Sequence, residues 1–218
     1  MRIMAINGSP RKKWNTAALL GKALEGAAGK GAETELVHLY GLDYKGCISC
    51  FECKRIGGKH YGRCAVKDAL APVLERAAAA DALILGTPVY FGAETGEMRS
   101  FFERLCFPFL TYTPGYASLF SRKIRTALVY TMNVPESVLG QWGYTVFMER
   151  GRAVLERTFG ACELLLATDT MQFADYGKYL STVWDAAAKR KRHEEVFPGD
   201  CARAFALGER LAAPLAAG

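Results

Sequence analysis

Long apolar runs are missing from this chain. No stretch approaches the ~18–20 residues that a membrane span requires. The apolar segment at the N-terminus breaks after Ile6 with no small-residue cleavage site behind it, unlike a signal peptide. A cytoplasmic chain without a membrane partner is the expectation. Histidine is scarce: His38, His60 and His193 are three scattered residues, which leaves no catalytic pair or metal triad. The Walker pattern G-x-x-x-x-G-K-[ST] and the dinucleotide pattern G-x-G-x-x-G are both absent. No helix-turn-helix, zinc-finger spacing or aromatic RNA-binding signature stands in the sequence, so nucleic acid is not an expected partner. Repeats, low-complexity tracts and linkers are also lacking, and residues 1–218 read as one domain.

The chain is rich in cysteine. Seven thiols, an odd number without an export signal, argue against a disulfide framework. Four of them, Cys47, Cys50, Cys53 and Cys64, fall inside the glycine-rich segment 46–64, which reads as a structured loop. Cys106, Cys162 and Cys201 sit in apolar contexts and read as core residues. Lys and Arg total 28 against 22 acidic residues, a net charge of +6 that favours anionic partners.

Apolar strands alternate with helical patterns. Strands are predicted at 2–6, 33–39, 81–86, 125–130 and 162–167. Helices are predicted at 16–28, 67–80, 97–106, 144–159 and 201–213, the last preceded by an irregular stretch around Pro198. Such alternation implies an α/β/α sandwich with a five-stranded parallel sheet and right-handed crossovers, in the flavodoxin-like order 2-1-3-4-5. Ligands of such sheets bind beyond the carboxyl ends of strands one and three. Those ends are the segments 7–16 and 87–96, the two most distinctive loops in the chain. The aromatic insert 107–123 reads either as a cap over the core or as a subunit contact or a wall over the ligand.

The first of these loops, in MRIMAINGSPRKKWNT, joins a strand to a helix start through Gly8. Ser9, Arg11, Asn15 and Thr16 surround unpaired N–H groups at the positive end of the helix, and that combination suits a phosphate monoester. An ordinary capped turn, with Asn15 or Thr16 as N-cap, is the competing reading. The second loop runs Thr87-Pro88-Val89-Tyr90-Phe91-Gly92. An open backbone edge beside two aromatic rings suits a flat heterocycle with alternating donors and acceptors, such as a flavin. The same aromatics could instead cap the core. The basic run KRKR at 189–192 reads as a solvated face or as a contact for a dinucleotide phosphate or another subunit.

The segments NGSPRKKWNT, GCISCFECK and GTPVYFGAETGEMRSFFER, in this order, resemble the flavodoxin-like NAD(P)H-dependent FMN reductases, and among them the branch related to iron–sulfur flavoproteins. YTMN at 130–133 and DTMQFADYGKY at 169–179 resemble the same branch. The resemblance implies bound FMN, with Ser9, Arg11, Asn15 and Thr16 on its phosphate and Pro88, Val89, Tyr90, Phe91 and Gly92 along its ring. Thr131, Met132 and Asn133 would close the other side. It also implies NAD(P)H as co-substrate, a small-molecule or protein electron acceptor, and a homo-oligomer, dimeric or tetrameric. Hydride transfer between stacked rings needs no side-chain acid or base, so no catalytic residue is assigned.

The cysteine spacing is C-x2-C-x2-C-x10-C. Three thiols at three-residue steps can converge, and a glycine-rich loop can return a fourth, a donor set suited to a [4Fe–4S] cluster. The last gap is longer than in iron–sulfur flavoproteins, and reduced cysteines packing a loop is the alternative. Two other functions fit the fold: an iron–sulfur electron carrier, and a flavodoxin-type carrier without a pyridine-nucleotide site. Carriers of the latter kind tend to be acidic, which this chain is not. A phosphoacceptor domain would need acidic residues where Asn7 and Thr87 stand.

Overall fold

The structure is a computed structural model and describes residues 1–213. Five parallel strands form its sheet: β1 (Arg2–Asn7), β2 (Glu33–His38), β3 (Ala82–Tyr90), β5 (Ile124–Thr131) and β6 (Gly160–Ala167). They lie in the order β2-β1-β3-β5-β6, which is the expected flavodoxin-like order once the short β4 (Ala93–Glu94) is set aside. β4 pairs antiparallel with the end of β3, with Val89 opposite Glu94. The helices are α1 (Asn15–Gly29), α2 (Ala71–Ala79), α3 (Gly96–Cys106), α4 (Tyr144–Phe159), α5 (Ala186–Glu195) and α6 (Phe197–Ala212).

Alternation along β1 explains the layering. Met4 and Ile6 enter one core with Leu83, Leu85, Phe101 and Leu128, while Ile3 and Ala5 enter the other with Leu20, Ile84, Val129 and Leu207. Both faces are therefore covered, as the unbroken apolar strands require. On the second face α1 and α6 approach closely enough to need glycine at the contact. A Cβ on Gly208 would lie 1.7 Å from the Ala23 carbonyl oxygen, and one on Gly26 would lie 2.1 Å from that of Phe205.

Three regions differ from the sequence expectation by more than two residues. α2 is shorter than 67–80, because the Asp68 Oδ1 accepts from the Leu70 N–H and Pro72 occupies the first helical turn. β3 runs past Gly86 to Tyr90, so the loop expected from residue 87 is largely the arm of a hairpin. The irregular stretch before residue 201 is instead helical. Asp185 caps α5 by accepting from the Ala187 and Ala188 N–H groups, and Pro198 is accommodated in the first turn of α6. α5 was illegible because its AAAKRKRHEE sequence carries no apolar stripe. The insert 107–123 caps the core: Phe120 packs edge-to-face on Phe109 at 5.1 Å and on Phe159 at 4.8 Å. Among the described residues no helix is long and apolar enough to cross a membrane.

Candidate functional site

The turn after β1 is built by its own side chains. Asn7 is fully buried; its Oδ1 accepts from the Ser9 N–H at 3.0 Å, and the Ser9 hydroxyl accepts from the Arg11 N–H at 3.1 Å. The Asn7 Nδ2 donates to Nδ1 of His38 at 2.8 Å. That assignment keeps His38 neutral, in line with a pKa pushed down by burial and by Lys12. Gly8 admits the crossing of α3, since a Cβ there would lie 2.7 Å from that of Met98. Thr95, the N-cap of α3, donates its hydroxyl to the Gly8 carbonyl at 2.7 Å and receives the Met98 N–H. The two loops expected to meet are thus joined directly.

At the start of α1 the expected cap is absent. Trp14 holds the N-cap position without a side-chain capping hydrogen bond, and no acidic residue occupies the first turn. Among the described residues the N–H groups of Asn15, Thr16 and Ala17 have no partner, the first helical bond being Ala18 N–H to the Trp14 carbonyl at 2.9 Å. Asn15 and Thr16 are not caps but buried residues of the helix, the Thr16 hydroxyl lying 2.7 Å from that of Thr131.

These elements enclose an open cleft of about 130 Å³. Ser9, Arg11, Asn15 and Thr16 line one end of it. Pro88, Val89, Tyr90, Thr131, Met132 and Asn133 line the remainder. Arg11 is the sole charged residue of the lining, and no carboxylate opposes it. Two predicted residues stay outside. Phe91 is fully exposed at the hairpin tip with φ 51°, and Gly92 follows it with φ 78°. The type of turn, rather than the chemistry of its residues, turns them away from the cleft.

Four lining residues went unassigned in the sequence: Trp14, Thr170, Met171 and Gln172. The last three follow β6 and reach the cleft because the Thr170 N–H and hydroxyl both donate to the Met132 carbonyl. Their carbonyls accept from the very side chains expected to meet an anion. Arg11 Nη1 donates to the Gln172 oxygen at 2.5 Å, and Asn15 Nδ2 and Trp14 Nε1 donate to the Met171 oxygen at 3.0 and 3.2 Å. Lys189 supports this strap from α5, donating to the Asn133 carbonyl at 2.6 Å and pairing with Asp169. The KRKR run is therefore only half solvated: Lys189 is buried and Arg192 pairs with the buried Asp200 at 2.5 Å.

The cysteine loop forms a second feature. Ser49 and Phe51 adopt left-handed backbone conformations at φ 53° and 57°, which coil the C-x2-C-x2-C run. Successive turns absorb the ten-residue gap, and the Gly62 N–H donates to the Cys53 carbonyl at 3.0 Å. Cys47, Cys50, Cys53 and Cys64 consequently line one small recess, closed by Phe107, Pro108 and Arg104. Cys53 is buried and Cys64 partly so, while Cys47 and Cys50 are exposed. Burial raises the pKa of Cys53, Lys54 lowers it, and the other three thiols raise it further. Among the described residues no three potential ligands stand at metal-holding spacing. Cys106 and Cys162 are core thiols, pushed up to about 12 and about 11 by burial.

The sequence profile of the NADPH-dependent FMN reductases matches residues 1–134. The chain belongs to this family. Within the FMN reductase family, its curated relatives include an iron–sulfur flavoprotein of Methanocaldococcus jannaschii, 36% identical over 104 residues, and one of Archaeoglobus fulgidus, 39% identical over 104 residues. Each alignment covers 48% of this chain and 51% or 48% of the relative, so the chain spans about half the length of the curated relatives it matches. Solved structures share the fold over nearly the whole length. An NAD(P)H:quinone oxidoreductase from Methanothermobacter marburgensis superposes with a TM-score of 0.70 at 15% identity, covering 99% of this chain and 98% of that one. An FMN-dependent NADH-azoreductase from Bacillus anthracis, in complex with FMN, gives 0.67 at 12% identity, covering 98% and 100%.

Proposed function

We propose that this reductase-family chain binds FMN in the cleft and passes electrons from NAD(P)H through it to an acceptor. One observation carries the reading: three unpaired N–H groups at the start of α1 meet Arg11 in a lining without any carboxylate. An anion stabilises both the positive helix end and the guanidinium. The residues present fit the cofactor. Ser9, Arg11, Asn15, Thr16 and the α1 amides would hold its phosphate. Pro88, Val89 and Tyr90 would run along the ring, with Thr131, Met132 and Asn133 opposite. The Oδ1 of Asn133 is buried without a donor, leaving one acceptor for a ring N–H. Tyr90, half-exposed, borders the open side. FMN would supply the redox chemistry, and the protein its position and electrostatics.

The test is direct. Protein purified in the presence of FMN should be yellow and should oxidise NADPH steadily once a quinone is added. Yellow protein that ignores NADPH and NADH would leave a carrier without a pyridine-nucleotide site. Colourless protein that takes up no FMN overturns the reading. The exposed Phe91, Tyr179, Leu180 and Val183 support self-association as a dimer or tetramer. A strict monomer at micromolar concentration with FMN bound would contradict that part.

A second reading concerns the recess. Four thiols returned to one place by the turn at Gly62 fit a tetrathiolate centre, and the curated relatives are named iron–sulfur flavoproteins. Cys47, Cys50, Cys53 and Cys64 would hold a [4Fe–4S] cluster after rotation of the two exposed thiols. Iron and acid-labile sulfide in anaerobically prepared protein decide the matter.

A further inference from the structure

Arg104 is the largest fully buried side chain among the described residues, and it lines the cysteine recess. A buried guanidinium is costly unless each of its N–H groups is engaged. Most of them are. Nη1 donates to Asp68 Oδ2 at 2.5 Å and to the Lys45 carbonyl at 2.9 Å. Nη2 donates to Asp68 Oδ1 at 3.0 Å and to the Val66 carbonyl at 3.3 Å. Nε is the exception: it is buried and has no hydrogen-bond partner among the described residues. The neighbouring cation offers no such vacancy. Lys54 spends its ammonium on the carbonyls of Phe107, Pro108 and Leu110 and lies 4.3 Å from the Phe107 ring centroid.

We propose that Arg104 is a positioning residue for the four-thiol recess, its spare Nε–H donating to the Cys64 sulfur when that sulfur is a metal-bound thiolate. The inference rests on the tetrathiolate reading of the recess. Cys64 and Arg104 line the same recess; burial lowers the guanidinium's pKa, and Asp68 and Cys64 together raise it by more. Asp68 fixes the fork through two oxygens, so Nε–H is the one donor left for Cys64, which lines the same recess. An N–H···S bond of this kind orients a thiolate ligand and offsets part of its charge. It also accounts for the long Cys53–Cys64 gap. The fourth ligand need not lie close in sequence when α3 holds a donor at the place to which the chain returns. Metal binding releases the thiol protons to the solvent, with no change of oxidation state.

The test titrates the full-length, reduced protein anaerobically with Co²⁺ and follows the sulfur-to-cobalt charge-transfer absorbance. FMN uptake is measured in parallel. The wild type should develop the band, and Cys64→Ser should lose much of it. Arg104→Lys keeps a cation for Asp68 but cannot place an Nε–H. It should weaken Co²⁺ binding by about tenfold, at unchanged FMN affinity and with a native circular dichroism spectrum. Arg104→Gln should lose at least as much affinity, and Arg104→Lys alone decides if that variant does not fold. A wild type without the band, or an Arg104→Lys protein that binds Co²⁺ as the wild type does, overturns the proposal. Cobalt binding as stated without FMN uptake would instead contradict the flavin reading and leave the recess standing.

Discussion

Arg11 is the residue on which the proposed anion recognition turns. Its guanidinium now rests on the Gln172 carbonyl and near the Trp14 ring, at 5.4 Å from the centroid, so it can exchange a neutral acceptor for a charged one. Arg11→Ala should weaken FMN binding by about tenfold while leaving riboflavin, which has no phosphate, nearly unaffected. Parallel fluorescence titrations check this, and equal losses for both ligands would contradict it. Asp68 sets a pH dependence. Burial opposes its charge, but Arg104 outweighs that effect and holds its pKa below the ordinary carboxylate range. The stabilisation is therefore complete above the unfolded value of about 3.9 and is lost as pH falls through the lower folded value. Chemical denaturation across that interval should show a shallower acid loss in Asp68→Asn than in the wild type. At this scale the sequence was legible where chemistry and backbone coincide. Ser9, Arg11 and Asn15 were readable because a strand, a turn and a helix start surround them. Met171 and Gln172 were not, because they reach the cleft through bonds to Met132 that no local pattern encodes.

Among the elements, the pair α1 and α6 bears most directly on stability. The Gly208 contact leaves no space for a methyl group, and the obstacle is backbone, which cannot rotate away. Gly208→Ala should cost about 2 kcal/mol or more and lower the unfolding midpoint by about 4 °C or more. Gly29→Ala, at a site where a Cβ meets nothing within 4 Å, should change it little. Equal midpoints for the two variants would show that the helices separate more easily than their packing implies. The strands were readable because each is an apolar run bounded by polar turns. The hairpin of β3 and β4 was not, since residues 87–96 read as a loop where the strand in fact continues to Tyr90. α5 escaped for the opposite reason: its helix rests on the Asp185 cap and buried Lys189, neither of which leaves an apolar periodicity.

The molecule as a whole joins two features through one helix. α3 is capped by Thr95, bonded to the turn after β1 at Gly8, and ends at the recess of four thiols beside Phe107. Sheet order was legible because alternating strands and helices admit few crossover topologies. The juxtaposition of the 7–16 and 87–96 segments followed from that order, and the structure joins them through Thr95. The recess depended on how residues 54–63 turn, which the glycine content suggested but did not determine. In the proposed complex a single mononucleotide is held with its phosphate on the α1 turn and its ring along the end of β3. Titration of the flavin-free protein with FMN and with riboflavin, followed by flavin fluorescence, distinguishes the two ends. Both flavins should bind saturably, FMN at least tenfold tighter, with inorganic phosphate competing only against FMN. Equal affinities, or no binding of either flavin, would refute that placement.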